Sequence, residues 1–184
     1  YTNYYTLRTT TESCVSRKLI AGQNMDAGEV TVDFTDTDII ITYSTVDSDF
    51  TIDLTHLSVG NCDEQWVPTT GSGNPKVGKF EHSEPTLIPD VNTVIYHISL
   101  DYLQLNDVYC FAAHAEVTGP TGGETAWAED FLVDAYGNYV DEDGIPVEEE
   151  DKVERTFAGN NWAMYVEANV NDCVNEQEPT TGYK

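Results

Sequence analysis

Basic residues are the scarcest class of side chain in this sequence: 8 Lys and Arg face 33 Asp and Glu, for a formal net charge of −25. Nucleic acids and anionic membrane surfaces are bound through clusters of Lys and Arg. The shortage therefore argues against a nucleic-acid partner. No stretch approaches the roughly 18 consecutive apolar residues of a membrane span, so no membrane insertion is expected. Catalytic signatures are also missing. There is no G-x-S-x-G elbow, no H-E-x-x-H zinc motif and no P-loop or Rossmann glycine pattern. GSG at 71–73 stands in a Pro/Gly loop. These absences favour a non-enzymatic protein, although triads and carboxylate pairs can be assembled from distant positions. There is no N-x-S/T sequon, no C-x-x-C pair and no internal repeat in view. The chain begins at Tyr1 rather than Met. A processed, mature form would begin that way, and so would a chain cut at a domain boundary.

What is present suits a folded β protein. Of 184 residues, 40% are hydrophobic, with 11 Tyr, 6 Phe and 3 Trp. A chain of this length can bury a core of its own. Val30, Val32 and Phe34 alternate with Thr31 and Asp33, the period-two signature of a half-buried strand. A polar loop at 35–38 leads into IIITYST, which makes a hairpin. DFTIDLTHLSVG runs to Gly60. Residues 61–90 are punctuated by Pro and Gly and read as loop. Val94, Tyr96, Ile98 and Leu100 share one strand face, and Tyr109, Phe111, Ala113, Ala115 and Val117 share another. ETAW is a further short strand. Trp162, Met164, Val166, Ala168 and Val170 alternate along the last one. About eight short strands without an amphipathic helix predict an all-β fold, an antiparallel β-sandwich of jelly-roll type. The expected organisation is an extended Thr/Tyr-rich arm at 1–13, one domain over 14–173 with an acidic loop insertion at 133–155, and a polar tail at 174–184.

Four cysteines, even in number and far apart, predict disulfide staples. If Cys14 and Cys173 flank the first and last strands, they form one pair and leave Cys62 with Cys110. Free buried thiols are the other reading. Disulfides place the chain outside the cell or on its surface.

Candidate ligand residues fall in three groups. In the insertion, Asp141, Asp143, Gly144 and Glu150 match positions 3, 5, 6 and 12 of a calcium loop. Tyr139 at position 1 and the lack of flanking helices exclude an EF-hand. A looser calcium site drawing on Asp134 or Asn138 stands against a solvated acidic loop. Trp66 and Trp127 are candidate carbohydrate platforms, Trp66 as the more exposed, while Trp162 belongs to the core. His56 and His114 lie in strand patterns; they could ligate a transition metal if their strands adjoin, or hydrogen-bond within the fold.

AGQNMDAGEVTV (21–32), THLSVG (55–60), GNPKVGKF (73–80), AAHAEV (112–117), ETAWAEDF (124–131) and NWAMY (161–165) occur in that order. Together they resemble a group of secreted domains of environmental, Bacteroidetes-like bacteria. The resemblance implies an exported or surface β-sandwich module and carries no catalytic assignment. The acidic stretch after ETAWAEDF and the N-terminal arm depart from it.

Two functions follow as expectations. The first is an extracellular structural or adhesive subunit that self-associates into an oligomer or filament. In it the arm, with Tyr1, Tyr4, Tyr5 and Leu7, adds as a strand to a neighbour's sheet, or else pairs with its own. The alternative is a calcium-dependent carbohydrate-binding module with a glycan partner.

Overall fold

The computed structural model describes residues 3–5, 13–84, 91–103, 107–171 and 179–181, with the backbone alone for the first and last of these segments. Eleven strands are present among them: β1 (Asn3–Tyr5), β2 (Val15–Ala21), β3 (Met25–Phe34), β4 (Asp38–Ser44), β5 (Thr51–Asn61), β6 (His82–Glu84), β7 (Thr93–Ser99), β8 (Val108–Gly119), β9 (Gly122–Ala128), β10 (Val166–Asn169) and β11 (Pro179–Thr181). One helical turn, α1 (Leu100–Leu103), follows β7. All named pairings are antiparallel.

The expected sandwich is replaced by a single nine-stranded sheet in the order β6-β5-β8-β9-β2-β3-β4-β7, with β10 alongside the start of β8. The sheet coils until its ends meet, and it is barrel-like rather than a jelly roll. At the seam Ile52 and Val91 exchange both backbone hydrogen bonds, at 2.6 and 3.1 Å. Tyr96 on β7 reaches Thr55 on β5 through a 2.6 Å hydroxyl pair, and the Tyr43 hydroxyl donates to the His56 carbonyl at 3.0 Å. Alternation along a strand cannot distinguish two facing sheets from one curled sheet, because both bury every second residue.

The alternating residues do fill the interior. Val30, Val32, Ile39, Ile41, Tyr43, Tyr96, Ile98, Tyr109, Phe111, Ala113 and Val117 form one buried cluster. The β2–β3 ribbon carries a bulge between Leu19 and Ile20. Opposite it, Gly28 adopts φ 138°, and a Cβ there would lie 2.0 Å from the Ser44 carbonyl oxygen. Only glycine permits both that dihedral and that approach.

A second, smaller core lies outside the barrel. Ile20, Val67, Phe80, Ala112, Trp127, Ala163 and Met164 are buried together, with Trp66, Phe157, Trp162 and Tyr165 packed against them. The loop after β5 and the segment before β10 therefore form an outer layer over β8 and β9. Cys62 and Cys110 are disulfide-bonded at the root of this layer. The bond spans 48 residues of chain, a closure worth about 4 kcal/mol in chain-entropy terms. No cysteine among the described residues is a free thiol. Cys173, the expected partner of Cys14, lies outside the described residues.

The insertion is built of tight turns, and it reveals a repeat that the linear reading misses. Val133 bridges Tyr139, Val140 bridges Pro146, and Thr69 bridges Pro75 in the loop after β5. The sequences are DAYGNY, DEDGIP and TGSGNP. In each, the fourth residue is a glycine with positive φ: Gly137, Gly144 and Gly73. The first side chain accepts the backbone N–H four residues on, at 3.0 Å for Asp134, 2.9 Å for Asp141 and 3.1 Å for Thr70. Six-residue units that share only the glycine in all three copies fall below what composition or periodicity detects.

Candidate functional site

The outer face of β5, β8 and β9 gathers the chemistry-bearing residues. Register places His56 opposite His114 and His114 opposite Trp127. The two imidazole Nδ1 atoms are 3.2 Å apart. His114 is buried, and its Nε2 lies 3.2 Å from a Glu116 carboxylate oxygen on the same strand. Glu116 is two residues from His114 and so shares its face. The indole of Trp127 packs against the His114 ring, with centroids 4.9 Å apart. The strands adjoin and the two rings hydrogen-bond, so the expectation of a hydrogen-bonded pair within the fold is met. Burial and the neighbouring His114 lower the His56 pKa, while Glu116 opposes them. The hydrogen bond from His114 holds the Glu116 carboxyl below its usual value against the effect of partial burial.

Trp127 is 4% exposed, closed over by Phe80 at 6.5 Å. Trp66 is half-buried, its ring 6.0 Å from Phe157 and 5.7 Å from Tyr165, and its Cβ would meet any side chain placed at Gly60. Both tryptophans thus pack on the outer core, and Trp127 is too deeply buried to serve as the sugar platform expected of it. Trp162 is half-buried against the same core. THLSVG, GNPKVGKF, AAHAEV, ETAWAEDF and NWAMY each contribute to this one layer or to the histidine row beside it, through His56, Phe80, Ala112 and His114, Trp127, and Met164 respectively.

The expected calcium residues are not brought together. Asp141 spends one carboxylate oxygen on the N–H groups of Asp143 and Ile145, both at 2.9 Å, closing its own turn. Glu150 sits in a separate helical turn, Glu149–Asp151. Among the described residues no group of three or more His, Cys, Asp or Glu is placed to hold a metal.

A second feature went unseen in the sequence. Asp130, 6% exposed, accepts from Arg17 at 2.9 Å, Arg155 at 3.1 Å, and the N–H groups of Phe131 and Glu167 at 2.9 and 3.1 Å. Arg155 also pairs with Glu167 at 2.9 Å. Beside this network lies a groove of about 770 Å³, lined in part by Phe131, Tyr139, Glu129 and Glu167. Arg17, Lys18, Lys152 and Arg155, half of the chain's Lys and Arg, also line it. The Lys152 ammonium sits 4.3 Å from the Phe131 ring centre. The neighbours Arg17 and Lys18 are far in sequence from Lys152 and Arg155, so only folding brings the four together, with Asp130 joining the two arginines.

Of the assembly arm, Tyr4 and Tyr5 lie in β1. This strand pairs with β11 in register Asn3↔Thr181, Tyr4↔Thr180, Tyr5↔Pro179, as a two-stranded sheet apart from the barrel. The described part of the arm, Asn3–Tyr5, therefore pairs with the C-terminal segment of its own chain and not with a strand of the barrel. Tyr1 and Leu7 lie outside the described residues. Comparison with family models, curated proteins and solved structures finds no match.

Proposed function

We propose that the protein is a non-enzymatic, extracellular or cell-surface structural subunit that self-associates by strand addition at the β1–β11 ribbon. The ribbon carries this reading. Among the described residues each of its strands is paired on one side only, and an isolated two-stranded sheet is marginal in water. Free strand edges are templates for another strand, so a second copy completing the ribbon gains backbone hydrogen bonds that the monomer lacks. The Cys62–Cys110 disulfide supports an oxidising compartment. Deleting residues 1–13 should abolish oligomers or filaments, seen by light scattering and electron microscopy, and leave a folded monomer by circular dichroism. Polymers unchanged by the deletion would remove this function.

The groove favours a second reading, glycan binding of the adhesive kind, with or without calcium. Its flat Phe131 and Tyr139 rings and its alternating cations and carboxylates offer both stacking and hydrogen bonds to a saccharide. Binding on a glycan array should fall at least about tenfold with Lys152→Ala, the change expected from losing one good contact. An array blank with and without calcium counts against it.

A further inference from the structure

The geometry points to His56 and His114 as a two-nitrogen seat for a divalent transition-metal ion, with Glu116 as the carboxylate that orients the buried ligand. This site is independent of the assembly reading. The argument begins from the separation of the two Nδ1 atoms, 3.2 Å. An ion bound to both at 2.0–2.1 Å would subtend about 100°, between the square-planar and tetrahedral angles. Adjacent strands in fixed register hold both rings at this separation, so binding needs a turn of the rings from their mutual hydrogen bond towards the ion and no movement of the backbone.

The tautomers are set in the same way. Glu116 lies 3.2 Å from the His114 Nε2 and accepts a hydrogen bond from its N–H, which keeps the proton on Nε2 and leaves the His114 Nδ1 with a lone pair. His56 then donates its Nδ1 proton to that lone pair. When a metal enters, His56 moves this proton to its own Nε2 through solvent, and both Nδ1 atoms present lone pairs. Neither ring changes net charge, and no proton is lost overall. A carboxylate behind a ligating histidine is the usual supporting partner of such sites. Imidazole nitrogens select copper, nickel or zinc over calcium. Water fills the remaining positions, because His56 is only half-buried and the protein offers two ligands. The net charge of −25 raises the local concentration of divalent cations around the molecule.

The test uses one equivalent of Cu(II) with the full chain at pH 7.5 in a non-coordinating buffer, read by electron paramagnetic resonance and by calorimetry. Saturable one-to-one binding with hyperfine structure from two imidazole nitrogens is expected. His56→Ala should remove one nitrogen and weaken binding at least tenfold. Glu116→Gln should keep both nitrogens and weaken binding roughly tenfold, as loss of an outer partner does. His56 is half-buried, so its variant should fold, and circular dichroism checks that. The exposed His97→Ala and the turn variant Asp141→Asn should change nothing. No saturable binding, a spectrum without nitrogen coupling, or binding that survives His56→Ala unchanged would each overturn the site.

Discussion

Two imidazoles whose nitrogens lie 3.2 Å apart cannot both take up a proton without repulsion. Burial and His114 lower the pKa of His56, and burial lowers that of His82 against the pull of Glu81. The unfolded chain therefore binds more protons at these positions, and stability must rise with pH across their range. Their contribution is complete above the unfolded histidine value of about 6.5 and is lost as pH falls through the folded values. Glu116, also lowered, adds a loss below the unfolded carboxyl value. Glu129, raised first by burial and then by Glu154, acts with the opposite sign: its contribution is present at low pH and is lost as pH rises through its folded value. The thermal midpoint should be lower at pH 5.5 than at pH 7.5, and this gap should narrow in His56→Gln. Scanning calorimetry at the two pH values measures both. An unchanged gap in the variant would show that His56 does not titrate as described.

Between β9 and β10 the chain makes a long acidic excursion, and Asp130 ties it down. Phe131 bridges Glu154, and Leu132 donates to the Val153 carbonyl at 2.8 Å, so the excursion leaves and returns as a narrow ribbon. Arg17 belongs to β2, Arg155 to the returning strand and Glu167 to β10. Asp130 therefore joins three elements through one carboxylate with no acceptor capacity wasted. Its truncation leaves Arg155, 11% exposed, without its buried partner. Asp130→Ala should cost about 3–5 kcal/mol, the usual effect of removing one member of a buried ion pair. Denaturant unfolding measures the cost. Limited proteolysis should then cut first within 133–155, since the insertion loses its anchor before the barrel loses its core. A loss under 1 kcal/mol would mean that the turns hold the insertion without the network.

Across the whole molecule, 33 carboxylate side chains on 184 residues repel one another. Half of the six described Lys and Arg are already paired with carboxylates: Arg17 and Arg155 with Asp130, and Lys18 beside Asp26 at 3.9 Å. Surface repulsion of this kind is long-range and is screened over about 10 Å at 0.1 M salt. The unfolding midpoint should rise between 0.02 and 1 M sodium chloride, the interval over which the screening length drops several-fold. Thermal scans along a chloride series check it. A flat or falling midpoint would show that the charges are already neutralised by arrangement.

Period-two alternation settled the strand content. β3, β4, β5, β7, β8 and β9 stand where the apolar patterns fall, because alternation is a local property of a chain with one buried face. An even number of cysteines, with Cys14 and Cys173 placed at the ends of the domain, anticipated the Cys62–Cys110 bond, and residue chemistry alone marked His56 and His114 for attention. Closure was beyond such reading. Whether a sheet folds over on itself or curls shut depends on which edges meet, here Ile52 with Val91, 39 residues apart along the chain. Burial of the tryptophans was likewise decided by distant partners: Phe80 covers Trp127, and Tyr165 covers Trp66. The acidity has the same double character. Composition establishes its amount. The tertiary structure decides that scarce arginines are drawn to a single buried aspartate and that the aspartates of the insertion close their own turns, because a buried carboxylate must find donors and an exposed one takes the nearest backbone N–H.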